Sequence, residues 1–111
     1  MFKISHNATY FWPVTVELPA DGGKFEKHTF DAQFKRLPQK RLDEIFDRNA
    51  EVKDSDVITE ILVGWKGIVD DQGNEVVYSE TNRDELLQIA RVRSGILAAF
   101  LESLAGAKRK N

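Results

Sequence analysis

The stretch Gly64-Trp65-Lys66-Gly67-Ile68-Val69-Asp70-Asp71-Gln72-Gly73-Asn74-Glu75-Val76-Val77-Tyr78-Ser79 decides how the rest of the chain is read. A helix-like pattern enters it from Val57, and another leaves it near Asn82. Asp71-Gln72-Gly73-Asn74 reads as a turn, because glycine accepts positive φ and the Asp and Asn side chains bond their own backbone. Val76, Val77 and Tyr78 have the β-branched and aromatic character of a short strand. The stretch therefore predicts a helix exit, a small hairpin and a helix entry, with Trp65 as its anchor. A tryptophan in that place is ordinarily a core or hinge residue; the other reading is a contact for a partner.

Upstream, the pattern is β. Phe2 and Ile4 alternate with Lys3 and Ser5, and Val14, Val16 and Leu18 share one face at period two. Pro13 cannot donate to a ladder, so it marks a strand start, a bulge or an edge. Pro19-Ala20-Asp21-Gly22-Gly23 is a turn signal, after which residues 25–34 alternate again. The two runs predict an antiparallel hairpin, whose edge is either capped or solvated, the commoner case, or a surface for a partner. At Pro38 the period changes to that of a helix, with Leu42, Ile45 and Phe46 as one buried stripe and Asp43, Glu44, Asp47 and Arg48 outside. Asp54 or Ser55 can cap a second helix whose Val57, Ile58, Ile61, Leu62 and Trp65 line one side, weakened at its end by Gly64 and Gly67.

Downstream, Thr81 with Asp84 and Asn82 with Glu85 form two overlapping capping-box patterns. Leu86, Leu87 and Ile89 give the following helix an apolar side, and Ser94-Gly95 predicts a break before the last helix. Residues 96–101 are apolar almost all round, with Leu104 extending one stripe, so this helix is either clamped in the core or shared with another chain. Together these readings predict an α+β fold, with antiparallel strands mostly before residue 35 and helices near residues 38–49, 55–64, 82–91 and 95–106. A single domain over residues 1–111 is expected: mainly β to residue 35, mainly α over 36–107, then a basic tail at 108–111.

Bulk properties narrow the function. With 111 residues, 41% apolar and 31% charged, the chain has the make-up of one globular domain rather than a disordered one. No apolar run nears the roughly 20 residues that span a bilayer, and residues 1–6 lack the apolar core of an export signal. The absence of cysteine removes disulfides, thiolate catalysis and Cys-based zinc sites. Lys108, Arg109 and Lys110 are 3 of 16 basic residues, so the body ahead of them carries 13 against 18 acidic residues, a net of −5. That balance argues against nucleic acid as a partner.

Catalytic patterns are also missing from the sequence. His6 and His28 stand on separate strand-like segments with no metal-binding spacing. Asp70, Asp71 and Glu75 do not follow the calcium-loop spacing and read as a solvated turn. No phosphate-binding glycine loop, dinucleotide fingerprint or nucleophile elbow occurs. From the residues alone the chain reads as a small α+β interaction module, with no cofactor and no enzyme activity expected.

The segment ILVGWKGIVDDQGNEVVYSETNRDELLQIARV, followed by LAAFLESLAGAKRKN, resembles the C-terminal half of the tail assembly chaperones of long-tailed bacteriophages and prophages. The shared features are a Gly-Trp-Lys-Gly-like step, an Asp-x-x-Gly turn, a polar, Ser-rich helix start and an end close to Lys-Asn. The likeness covers roughly residues 55–111. Where relatives often have Pro-Gly before the last helix, this chain has Arg93-Ser94-Gly95. The resemblance implies a protein that binds the aggregation-prone tape measure protein and helps recruit major tail tube protein subunits during tail morphogenesis. It further implies work in the cytoplasm of the bacterial host and absence from the mature virion.

Such work needs exposed apolar surface, and Trp65, Leu97, Phe100, Leu101 and Leu104 are the candidate partner-binding residues. Self-association is left open. The alternative is a small virion structural protein, a tail terminator or joining protein, which mass spectrometry of purified particles would separate from a chaperone. Related phages also make a longer chaperone by translational frameshifting near its end. Arg109-Lys110-Asn111 can be encoded with the run of A that a −1 slip needs, and the DNA at those codons tests that expectation.

Overall fold

The computed structural model describes Phe2 and residues 7–105. Most of the alternation at residues 2–5, His6, the end of the helix expected to reach residue 106 and the basic tail lie outside the described residues. Two 12-residue strands, β1 (Thr9–Ala20) and β2 (Lys24–Lys35), pair antiparallel without interruption from Thr9 opposite Lys35 to Ala20 opposite Lys24. The turn between them needs Gly22 and Gly23, whose φ angles of 82° and 76° are rarely open to side-chain-bearing residues. Pro13 and Pro19 fall on β1, which is an edge strand of the sheet, where a missing donor is tolerated. The fold is thus α+β, as expected.

A third strand, β3 (Leu62–Lys66), pairs antiparallel with β2 and sets the order β1-β2-β3. This corrects the expectation that the second helix runs to residue 64. Helix α2 (Asp54–Ile61) passes directly into the strand at Leu62, whose φ of −95° and ψ of 113° are already extended. Trp65 stands opposite Ala32 and Gly64 opposite Gln33, but Leu62 stands opposite Phe34, leaving Val63 as an extra, bulged residue. The bulge lets Leu62 and Trp65, three positions apart, both face the core; an unbroken strand would put them on opposite faces.

The remaining helices are α1 (Gln39–Ile45), α3 (Glu80–Leu86) and α4 (Ala90–Ala105). Two capping expectations are corrected. Ser79 caps α3, its Oγ accepting from the Asn82 N–H at 3.0 Å, ahead of the Thr81 and Asn82 boxes. Lys53 occupies the α2 cap with no side-chain hydrogen bond, so neither Asp54 nor Ser55 caps it. The break before the last helix also moves. Leu87, Gln88 and Ile89 interrupt the helical path, and α4 runs unbroken through Ser94 and Gly95.

Gly95 has a different role from a helix stop. A Cβ there would lie 3.1 Å from the Thr15 carbonyl oxygen and 3.1 Å from Val16 Cγ2, so the glycine lets α4 lie close on β1. Val92, Ile96, Ala99 and Phe100 turn into the core from α4, meeting Val14, Val16, Phe30, Ala32 and Phe34 of the sheet and Val57, Ile58 and Ile61 of α2. Phe34 stacks edge-on with Phe100 at 5.3 Å and with Tyr10 at 5.9 Å. The opposite sheet face carries Phe11, Thr15, Thr29, Asp31 and Lys66, all exposed.

Candidate functional site

The opening stretch folds into a pinned loop. Asp70 Oδ1 accepts from the backbone N–H groups of Gln72 and Asn74, both at 2.9 Å, and Gly73 takes a φ of 81°. Val69 bridges to Glu75, but Val76, Val77 and Tyr78 stay outside any strand, which corrects that part of the reading. Trp65 holds the loop by donating from Nε1 to the Val76 carbonyl at 2.7 Å and stacking edge-on against Tyr78 at 5.0 Å. Tyr78 in turn donates from its hydroxyl to the Leu62 carbonyl at 3.1 Å. With its indole satisfied and only 8% of the residue exposed, Trp65 is committed to the core.

The other candidates divide along α4. Phe100 is buried, Leu97 is half-buried, and Leu101 and Leu104 are 47% and 45% exposed. Leu101 and Leu104 do not stand alone. They line a groove of about 380 Å³ with Leu42, Phe46, Gln39, Asp43 and Asp47 of the α1 segment. Phe46 is 45% exposed, which corrects its expected place in a buried stripe: α1 ends at Ile45, and the chain turns before Phe46 can follow it inward. Sequence reasoning missed Phe46 as a surface residue; its position at the end of a short helix was the available signal.

A second groove, of about 500 Å³, lies on the sheet side of the same helix end. Tyr10, Trp12, Lys35, Arg36, Leu37 and Ser103 line it, and Leu104 belongs to both grooves. Its wall is built by a short hydrogen-bond chain: Tyr10 Oη lies 2.6 Å from Ser103 Oγ, which donates to the Phe100 carbonyl at 2.6 Å. The Arg36 guanidinium sits over the Tyr10 ring at 4.7 Å. The first groove's charged lining is therefore acidic and the second's basic.

Helix α1 is held in place from behind. Arg41 donates from Nε and Nη2 to both oxygens of Glu60, at 2.8 and 2.7 Å, and from Nη1 to Glu44 at 2.9 Å. The hydrogen bonds from Arg41 hold the Glu60 carboxyl below its usual range, against the opposing effect of its burial. This fork fixes the acidic wall of the first groove to α2 and hence to the core.

The apolar patch has a definite but limited binding capacity. Covering the exposed parts of Leu101, Leu104 and Phe46 would contribute roughly 2–4 kcal/mol, taking about 1.5–3 kcal/mol for each fully buried side chain. Association itself costs an estimated 4–15 kcal/mol, so a partner must reach beyond these three residues. Its natural extension is across Leu104 into the second groove. Contiguous apolar surface of this kind marks an interaction site more than scattered exposed residues do.

Among the described residues no group of three or more His, Cys, Asp or Glu side chains is placed to hold a metal ion. His28 Nε2 lies 3.6 Å from Glu26 Oε1 on an exposed part of the sheet. Among the described residues, no helix is long and apolar enough to cross a membrane. No curated protein and no solved structure matches the chain significantly. The model of one family, described as YdaY prophage protein, matches residues 22–105, from the β1–β2 turn to the end of α4. That span is well over half of the sequence, and the chain belongs to the YdaY prophage protein family.

Proposed function

We propose that this prophage protein is a tail assembly chaperone, binding the tape measure protein and helping to recruit major tail tube protein subunits during tail morphogenesis. The observation that carries the reading is the exposed pair Leu101 and Leu104, continuous with Leu42 and Phe46 along one groove. A holdase for an aggregation-prone client needs such a rigidly framed apolar surface and no reacting group. The resemblance over roughly residues 55–111 and the prophage family support the same reading. Leu101 and Leu104 are its contact residues; Trp65 and Phe100 maintain the frame that presents them.

Co-expression with the tape measure protein encoded by the same prophage tests the function. The expected result is a soluble tape measure protein that co-purifies with the chain. A tape measure protein that remains insoluble, with this chain recovered alone, overturns it.

A further inference from the structure

We propose that the end of α4 is a self-complementary surface on which a second copy of this chain docks as a two-fold symmetric dimer. Three observations meet there. Leu104 forms the ridge between two grooves, with exposed Leu101 on one side of it. On the α1 side the charged lining residues are Asp43 and Asp47. On the sheet side they are Lys35 and Arg36. One surface thus carries an apolar ridge with acids on one flank and bases on the other.

Symmetry then selects one arrangement. A two-fold interface pairs each patch with a different patch on the same surface of its partner. If the axis runs along α4, the acidic flank of each copy faces the basic flank of the other, twice over. The two α4 ends then lie parallel, with Leu101 and Leu104 between them. An axis running across α4 would oppose acid to acid and base to base, which interfaces avoid. The partner that fits this surface by charge is therefore the chain itself. This inference does not rest on the chaperone reading, although both use Leu101 and Leu104: the dimer covers those leucines when no client does.

Charge exchange in the full chain tests it. One variant carries Asp43→Lys and Asp47→Lys, the other Lys35→Glu and Arg36→Glu, each checked for a wild-type circular dichroism spectrum. Sedimentation velocity over a concentration series should find a wild-type dimer whose dissociation constant is raised at least about 100-fold in either variant. An equimolar mixture of the two variants should recover the dimer, because all its facing flanks are again opposite in charge. If one variant fails to fold, the single substitutions Asp47→Lys and Lys35→Glu repeat the exchange. A monomeric wild type overturns the proposal, and so does a dimer indifferent to both variants or a mixture that stays monomeric. Client capture by a monomeric wild type would leave the chaperone reading standing while the dimer fell.

Discussion

The first and last parts of α4 are built from similar residues and serve different ends. Over the first part, Gly95 brings the helix onto β1, and Val92 and Ile96 are buried in the core. Over the last part, Phe100 still faces inward, but Leu101 and Leu104 stand nearly half exposed beside Phe46. The helix carries two apolar stripes, one through residues 92, 96, 99 and 100 and one through 97, 101 and 104. At 3.6 residues per turn they lie about a third of a turn apart. The body covers the first stripe completely and the second only at Leu97. An apolar residue in this helix is therefore sealed in the core or left at the surface according to its stripe, not its hydrophobicity.

Adjacent residues give the widest separation. Phe100→Ala should lower unfolding free energy by about 3–5 kcal/mol, the usual cost of truncating a buried aromatic. Leu101→Ala, one position on, should cost less than about 1 kcal/mol, because much of its side chain is already in water. Urea unfolding of the two variants measures both, and equal losses would erase the distinction between stripes. Trp65→Ala belongs with Phe100→Ala at about 3–5 kcal/mol, since it also removes the hydrogen bond that holds Val76.

Gly95→Val sharpens the comparison from the packed side. Its added atoms meet the Thr15 carbonyl and Val16 at a distance that leaves no slack, so the helix must lift from β1. A loss of about 1–3 kcal/mol is expected, as for other overpacked sites, read as a lower thermal midpoint. A variant as stable as the wild type would mean that the first part of α4 is not clamped.

The smallest effect concerns the wall behind the exposed stripe. Glu60 has a folded-state pKa held down by Arg41, so its contribution to stability is present above the ordinary carboxylate value of about 4.3. It is lost as the pH falls through the lower folded value. Glu60→Gln should therefore be slightly less stable near neutrality, and the difference from wild type should shrink as the solution is acidified. A difference that grows on acidification would contradict the assigned role of the pair.

The hairpin was legible because long runs of period two, separated by Asp21-Gly22-Gly23, admit few other structures. Strand β3 was not, and the reason is specific. Ile58, Ile61, Leu62 and Trp65 have the spacing of a helical stripe, while a helix ending at Ile61 and a bulged strand after it bury the same four residues. Both readings also leave Val63 outside, where it is 38% exposed, so the apolar pattern does not separate them. Ser94-Gly95 misled for a related reason, since glycine serves a close helix–strand crossing as well as a helix end. Of the partner-binding candidates, the run at residues 96–101 pointed to surplus apolar surface on α4. Which residues were surplus depended on the rotation of α4 against β1, a tertiary choice, and Phe46 joined the patch only through the packing of α1.

The claim that the second stripe of α4 is the client surface is tested most directly by Leu101→Asp with Leu104→Asp in the full-length chain. The tape measure protein of the same prophage is co-expressed, and its soluble fraction is measured beside the melting temperature of the variant. The account predicts a melting temperature close to that of the wild type and a tape measure protein that returns to the insoluble fraction. A folded variant that keeps its client as soluble as the wild type does would contradict it.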